Sequence, residues 1–146
     1  MAVDVARGVM RLFCRQDLFG FCEVPLANGR RADVMAVDSK GMLTIVEIKV
    51  SRADLLGDCK WTDYLDYCDR FFWAVPPNLA GICEAEPFLP SEAGLIVADR
   101  YDAALVRQAA HRPLAPARRK AELLRFARRA ARRLSEQLDP TLGSGS

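Results

Sequence analysis

Two carboxylates and a lysine, Asp33, Glu47 and Lys49, stand in apolar segments where charged side chains are costly. The surrounding sequence predicts two strands joined by a tight turn. Alternation along the second strand puts Glu47 and Lys49 on the same face. A three-residue loop at 39–41, with Gly41 in the left-handed conformation, sets Asp33 directly opposite Glu47. Cross-strand partners lie about 4.5–5.5 Å apart, so this turn brings the two carboxylates together.

Two like charges facing each other in a hairpin destabilise the sheet unless something offsets them. A divalent cation does so, because Mg²⁺ and other hard cations take carboxylate oxygens as ligands. The pattern therefore predicts a divalent-cation site held by Asp33 and Glu47. A two-residue loop would shift the register by one residue and separate the pair, so the prediction depends on the turn.

The elements that must position this hairpin follow from apolar periodicity and turn residues. The order predicts an α/β fold with a mixed β-sheet flanked by α-helices, since both faces of the hairpin strands are largely apolar. We expect a single domain over residues 1–140, including the last helix, and a flexible tail or engineered scar at 141–146. The predicted helices cover residues 3–15, 51–68 (with a break near Gly57) and 118–138; the predicted strands cover 18–26, the hairpin, 70–75, 94–99 and 103–110.

Composition narrows the class of protein. A chain of 146 residues with about half apolar side chains suits one soluble domain. The first residues carry charges where a signal peptide needs an apolar block, and no apolar run approaches the ~18 residues of a membrane span. We therefore expect a cytoplasmic protein with no membrane partner. A single histidine and five cysteines without a C-x-x-C pair argue against a histidine triad or a zinc site.

Charge is distributed unevenly along the chain. Residues 107–133 hold ten Arg or Lys against one acid, a balance of +9, whereas the rest holds eleven against eighteen, a balance of −7. Four arginines fall at i, i+3, i+4 and i+7 of the last helix: Arg125, Arg128, Arg129 and Arg132. Such a stripe predicts binding to nucleic-acid phosphates. The alternative is a solvated helix face whose arginines pair with acids of the chain.

Asp33, followed after thirteen residues by Glu47-Ile48-Lys49, resembles the core motif of the PD-(D/E)XK nuclease superfamily. The resemblance implies a catalytic metal held by both carboxylates and the Ile48 carbonyl, with Lys49 orienting the attacking water. Lys60-x-x-x-Tyr64 is similar to the Q-x-x-x-Y element of some of these nucleases, with Lys60 in place of Gln, and adds both residues as catalytic candidates. An ordinary amphipathic helix is the alternative for that element.

The longer strings GRRADVMAVDSKG, IVEIKVSRADLLGDCKWTDYLDYCDRFFWAVP and LAPARRKAELLRFARRAARRL resemble the MmcB-type DNA repair family over roughly residues 5–134. The resemblance implies a restriction-endonuclease-like fold and a Mg²⁺-dependent DNA endonuclease or end-processing phosphodiesterase. The alternative is a catalytically silent DNA-binding or adaptor protein. It is motivated by the first helix, which lacks a glutamate that many superfamily members supply. Glu23 either substitutes for it or pairs with Arg30 or Arg31. DNA is the expected partner, with RNA, protein partners and a homodimer left open.

Overall fold

A computed structural model describes residues 2–58, 60–85, 88 and 91–143. The chain forms two compact units, residues 1–114 and residues 115–146. The elements in chain order are α1 (Ala2–Arg15), β1 (Phe19–Pro25), β2 (Arg31–Val37), β3 (Leu43–Ile48), α2 (Arg52–Gly57), a 3₁₀-helix (Trp61–Tyr67), β4 (Arg70–Val75), a 3₁₀-helix (Pro77–Glu84), β5 (Gly94–Ala98), β6 (Ala103–Arg107), α3 (Pro116–Leu138) and a 3₁₀-helix (Pro140–Gly143). The single domain over 1–140 stays a prediction.

The first unit is built on a six-stranded sheet in the order β1-β2-β3-β4-β5-β6. The pairs β1–β2, β2–β3 and β5–β6 are antiparallel, whereas β3–β4 and β4–β5 are parallel. Because the strand order advances in one direction, right-handed crossovers place both parallel connections on the same face. The rings of Trp61 and Phe88, one from each connection, both contact Trp73 of β4. The predicted mixed sheet flanked by helices is confirmed.

The opposite face of the sheet is covered by α1. Its apolar side packs on the even-numbered residues of the central strands, as the alternation predicts. This core contains Val5, Val9, Leu12 and Phe13 from the helix and Val34, Ala36, Val46, Phe72, Ala74 and Ile96 from the strands. Each large side chain buried here stabilises the fold by about 1.5–3 kcal/mol. Asp33 and Glu47, at odd-numbered positions, therefore lie on the aromatic face.

The turn between β2 and β3 has the predicted form. Gly41 has φ of +84°, the left-handed conformation that glycine adopts at little cost. The Asp38 N–H donates to the Met42 carbonyl at 3.1 Å, which closes a three-residue loop. The strands then pair in the expected register, from Val37 opposite Leu43 to Val34 opposite Val46. The predicted hairpin is confirmed.

The helix predicted over residues 51–68 is two elements, α2 and the 3₁₀-helix that starts at Trp61. Ser51 caps α2 as expected, and the predicted break near Gly57 is confirmed. The Asp58 side chain accepts the Lys60 N–H at 3.1 Å, a local turn that competes with helix continuation. Lys60 therefore lies between the two helices. The prediction that Lys60 and Tyr64 stand one α-helical turn apart on a common face is wrong.

The second unit contains α3, which begins two residues earlier than predicted with Pro116 in its first turn. Three leucines predicted on its packing side, Leu124, Leu134 and Leu138, are exposed. A unit of this size has too little chain to bury a continuous apolar side of a long helix.

None of the helices among the described residues combines the length and the apolar character needed to cross a bilayer.

Candidate metal centre

The strands β2 and β3 stop pairing through their backbones after Val34 and Val46. Beyond this point, side-chain carboxylates accept the backbone N–H groups of the opposite strand. The Ile48 N–H donates to Asp33 Oδ2 at 2.7 Å, and the Asp33 N–H donates to Glu47 Oε1 at 3.2 Å. Each carboxylate is thus fixed by the backbone of the opposite strand, and the predicted meeting of Asp33 with Glu47 is observed.

Both carboxyl groups are withdrawn from water, and this shifts their protonation. Glu47 is only 5% exposed. Its burial, and then the neighbouring charge of Asp33, raises the pKa of Glu47 to about 8. Burial also raises the pKa of Asp33, against the lowering effect of the Ile48 N–H. Without a cation, the pair therefore retains a proton at neutral pH.

Lys49 lies beside this pair, and its ammonium group forms an ion pair with a third carboxylate, that of Asp58. Its Nζ is 3.1 Å from Asp58 Oδ2, and the two side chains are only 14% and 16% exposed. Asp58 is the residue that ends α2, and its backbone N–H donates to the Leu55 carbonyl. The turn after α2 thus fixes the direction of the lysine. Asp58 is a site residue for which the sequence offered only its spacing from Asp54, a pattern more typical of solvated helix acids.

Glu47, Lys49 and Asp58, but not Asp33, line an open cleft of about 400 Å³ at the carboxyl end of β3. The lining residues are Arg30, Glu47, Lys49, Ala53, Asp54, Gly57, Asp58 and Tyr64. Ligands of α/β sheets commonly bind at this end of the strands. Of the two candidates from the Lys60-x-x-x-Tyr64 element, Tyr64 lines this cleft. Lys60 has an exposed side chain and does not line it.

Tyr64 contributes a neutral phenol to the cleft. Its hydroxyl donates to the Arg31 carbonyl at 3.2 Å. Burial, and then the charge of Glu47, raises the pKa of Tyr64 well above its usual range. The phenol is therefore protonated at any physiological pH, which makes it a hydrogen-bond donor and not a base.

The donor set fits a hard divalent cation. Three carboxyl groups, of Asp33, Glu47 and Asp58, surround one ammonium, so the site has an excess of negative charge. In a strand the N–H and C=O of one residue point to the same side, so the Ile48 carbonyl is directed toward β2, as its N–H is. The described residues contain no cluster of three or more His, Cys, Asp or Glu able to hold a metal. Mg²⁺ suits such a sparse set, because it normally keeps several waters.

Glu23 is adjacent to the pair without joining it. The register of β1 and β2 places it opposite Asp33, between Cys22–Val34 and Val24–Ala32. Its side chain is 2.6 Å from Arg31 Nε and largely exposed. Of the two roles open from the sequence, the structure shows the ion pair with Arg31. The φ of Glu23 is +58°, a conformation that non-glycine residues rarely adopt.

The four predicted arginines lie together on α3. Arg125, Arg128, Arg129 and Arg132 line one surface groove of about 570 Å³ with Ala131 and Ser135. Arg125 pairs with Glu122 and Arg132 with Glu136 within the helix. The stripe is thus preserved as a cationic surface, and contact with a nucleic acid stays a prediction.

The protonation of Glu47 predicts how stability depends on pH in the absence of divalent metal. Between its ordinary pKa of 4.5 and about 8, the folded protein keeps a proton that the unfolded chain releases. The free energy of unfolding should therefore fall as pH rises through this window, by up to about 1.4 kcal/mol per pH unit. Asp33, Lys49, Asp58 and Tyr64 are the ionisable groups around it.

Urea unfolding of the EDTA-treated protein at pH 5, 6, 7 and 8 measures this dependence. Glu47→Gln should flatten the profile and raise stability at pH 8. Glu84→Gln, which removes an exposed carboxylate, is the control and should leave the slope unchanged. A wild-type stability that rises over this range would contradict the protonation state.

This chain resembles known proteins to different degrees. A solved structure described as a protein of unknown function from Silicibacter pomeroyi is 44% identical, with a TM-score of 0.87, and the match covers 96% of this chain and 92% of that one. A repair endonuclease from Pyrococcus abyssi is 18% identical with a TM-score of 0.36 over 56% of this chain and 43% of its own, which is too weak to support an argument. A comparison with curated proteins finds no match. The family model described as "DNA repair protein MmcB-like" matches residues 1–141, and the chain belongs to this family.

Proposed function

We propose that this protein is a Mg²⁺-dependent (or Mn²⁺-dependent) DNA phosphodiesterase, either an endonuclease or an end-processing enzyme, that acts in DNA repair. The observation that carries the proposal is the buried pair of Asp33 and Glu47 at the open end of β2 and β3, with Lys49 alongside. Each carboxyl group accepts one backbone N–H, and this structural role does not require the two to lie side by side next to a lysine. A hydrolytic metal site needs that arrangement.

Asp33, Glu47 and the Ile48 carbonyl would hold the metal. When bound, the ion would polarise a phosphoryl oxygen and lower the pKa of a coordinated water. Lys49 is positioned by Asp58 to stabilise negative charge that develops on the phosphate and to orient the attacking water. Tyr64 also lines the cleft, and its one O–H would have to leave the Arg31 carbonyl to donate to a phosphate. Lys60 has no place in this scheme, because it lies outside the cleft.

Family membership supports DNA as the substrate. The arginine stripe of α3 offers a surface that would neutralise backbone phosphates. Arg30, which lines the cleft and pairs with Asp63 at 3.2 Å, adds positive charge near the carboxylates. Phosphate contacts of this kind give affinity without reading sequence. We therefore expect selection by DNA structure.

A catalytically silent DNA-binding or adaptor protein with the same fold is the second candidate. The observation that favours it is that both carboxylates already accept backbone N–H groups. Such a pair is satisfied in a protonated state without metal. This candidate predicts DNA binding that persists in Glu47→Gln, with no cleavage by the wild type.

Removing either carboxylate should abolish cleavage. With Mg²⁺ or Mn²⁺, we expect Asp33→Asn and Glu47→Gln to cut DNA at least about a hundredfold more slowly than wild type, since both ligands of the metal act as a unit. Circular dichroism and thermal unfolding should show an intact fold. Glu23→Gln, an exposed neighbour on β1, is the matched control and should retain activity.

The substrates for this assay are single-stranded, duplex, flapped and branched DNA. Failure of the wild-type protein to cut any of them with either metal would reject the enzyme proposal. Full activity of Glu47→Gln would reject the site.

Asp58 should act through Lys49. We expect Asp58→Asn to lower kcat by about tenfold or more with little change in KM, because the lysine loses the partner that directs it. Asp54 of α2 lines the same cleft, so Asp54→Asn is the matched control. Equal losses in both variants would indicate a general effect of charge in the cleft.

The arginine stripe should dominate the salt dependence of DNA binding. We expect Arg128→Glu/Arg132→Glu to weaken DNA binding at least about tenfold. The slope of log affinity against log salt concentration should also become shallower, by about 0.9 for each phosphate contact that is lost. Arg7→Glu/Lys40→Glu reverses two exposed charges of the first unit and is the charge-matched control. Fluorescence anisotropy measures both. Unchanged affinity of the α3 variant would indicate that the stripe is a solvated helix face that does not contact DNA.

A further inference from the structure

A line of exposed apolar side chains runs along α3, and we call it the apolar seam. Its members follow one another at alternating intervals of three and four residues, the spacing that keeps side chains on one face of a helix. They are Leu124, Ala127, Ala131, Leu134 and Leu138, and each of them is exposed. The leucines at 124 and 134 are 60% and 62% exposed, although leucine is among the residues most often buried in folded proteins.

The apolar seam and the arginine stripe occupy different sides of the helix. At about 100° of rotation per residue, the centres of the two sets lie roughly 130° apart around the helix axis. Arg128 is the member of the stripe that lies nearest to the seam, and the other three point further away. A partner that covers the seam therefore buries none of the four arginines.

The side chains within the seam favour another helix as the partner. Two alanines occupy its middle and leucines stand on either side. Small side chains at a contact allow two helix axes to approach closely, and larger ones beside them fill the space between the helices. A helix that lies in a membrane surface presents a face rich in large side chains instead.

The positions that flank the seam favour a second copy of α3 over an acidic partner helix. Four of the five flanking positions hold uncharged side chains, and Arg128 is the exception. The uncharged ones are Leu123, Ala130, Ser135 and Gln137. Helices that select an oppositely charged partner carry charges at these flanking positions. The flanks of α3 therefore offer little to attract acidic side chains.

The order of side chains in the seam is the same in both directions. Leucine, alanine, alanine and leucine follow at intervals of three, four and three residues, so the pattern reads alike from either end. An antiparallel second copy of α3 would place Leu124 against Leu134, and Ala127 against Ala131. Each contact would occur twice. A two-fold interface requires self-complementarity of this kind.

The same register gives the exposed Leu138 a partner. It sets the exposed Lys120 of one copy opposite Leu138 of the other. The aliphatic stem of the lysine would cover the leucine. Its ammonium group would lie at the carboxyl end of the other helix, where a cation is favourable.

We propose that this protein forms a homodimer in which α3 pairs antiparallel with α3 of a second copy along the apolar seam. The contact is about 20 Å long, so the dimer is weak and reversible. A two-fold axis between antiparallel helices places the arginine stripes of both copies on the same side of the pair. They form one cationic surface, with four guanidinium groups from each copy. The dimer does not depend on the proposed nuclease activity, because it uses no residue of the cleft.

Sedimentation equilibrium of the full chain, from micromolar to submillimolar concentration and at low and high salt, measures this association. We expect a reversible equilibrium between monomer and dimer. The dimer should tighten as salt rises, because salt screens the repulsion between the two arginine stripes. A wild-type chain that stays monomeric at every protein and salt concentration would overturn the proposal.

A substitution in the seam tests where the two copies meet. Leu134→Asp should weaken dimerisation at least about tenfold, since each dimer loses two leucine contacts. The side chain is exposed, so the monomer should stay folded, and circular dichroism checks this. Val106→Asp changes an exposed valine of β6 and is the matched control, which should dimerise as wild type. Unchanged dimerisation of Leu134→Asp, or an equal loss in both variants, would overturn the proposal.

A pair of opposite charges tests the antiparallel register. Leu124→Asp and Leu134→Lys should each weaken self-association, whereas an equimolar mixture of the two variants should form a heterodimer. The introduced carboxylate and ammonium groups face each other only in the antiparallel arrangement. Failure of the mixture to associate would reject this register.

Flotation with phosphatidylserine vesicles tests the membrane as the other occupant of the seam. We expect Leu134→Asp to float to the same extent as the wild type. Flotation of the wild type that is lost in Leu134→Asp would assign the seam to a membrane surface and overturn the proposal.

Discussion

The structure depends on an exchange of hydrogen bonds at the end of one hairpin. Where β2 and β3 separate, the side chain of Asp33 accepts the Ile48 N–H and the side chain of Glu47 accepts the Asp33 N–H. Side chains thus replace the regular ladder. This replacement satisfies backbone groups that would otherwise be buried without partners, and it also forces two carboxyl groups together. The high pKa of Glu47 is the electrostatic consequence.

The remaining elements of the first unit hold this exchange in place. The helix α1 covers one face of the sheet, and both parallel crossovers cover the other, so the pair stands at the rim of the aromatic layer. The crossover after β3 ends α2 at Asp58, and that residue directs Lys49 toward the cleft. The connection after β3 therefore both helps to cover the aromatic face and orients the lysine.

Local chemistry made the hairpin predictable. Gly41 and the apolar alternation determine the turn and the register, and the register alone sets Asp33 against Glu47. The mixed sheet flanked by helices followed from the order of the elements, whereas the restriction-endonuclease-like class was implied by the family resemblance. The arginine stripe of α3 was equally predictable, because residues three and four apart in the sequence lie on the same face of a helix.

The errors and omissions came from contacts between distant parts of the chain and from competing local bonds. A side-chain bond of Asp58 ends α2, so the spacing of Lys60 and Tyr64 could not be read as one helix. The ion pair of Lys49 with Asp58 crosses from a strand to a turn and leaves no periodic signal.

Calorimetric titration with Mn²⁺ near pH 7, repeated in buffers of different ionisation enthalpy, tests the central claim most directly. The number of protons released on binding follows from the buffer dependence. If Asp33 and Glu47 hold the metal, the ion must displace the proton that the pair retains, and close to one proton should be released per ion bound. Binding should be lost in Glu47→Gln. The absence of Mn²⁺ binding, or binding that survives in Glu47→Gln without proton release, would contradict the assignment of this pair as a metal site.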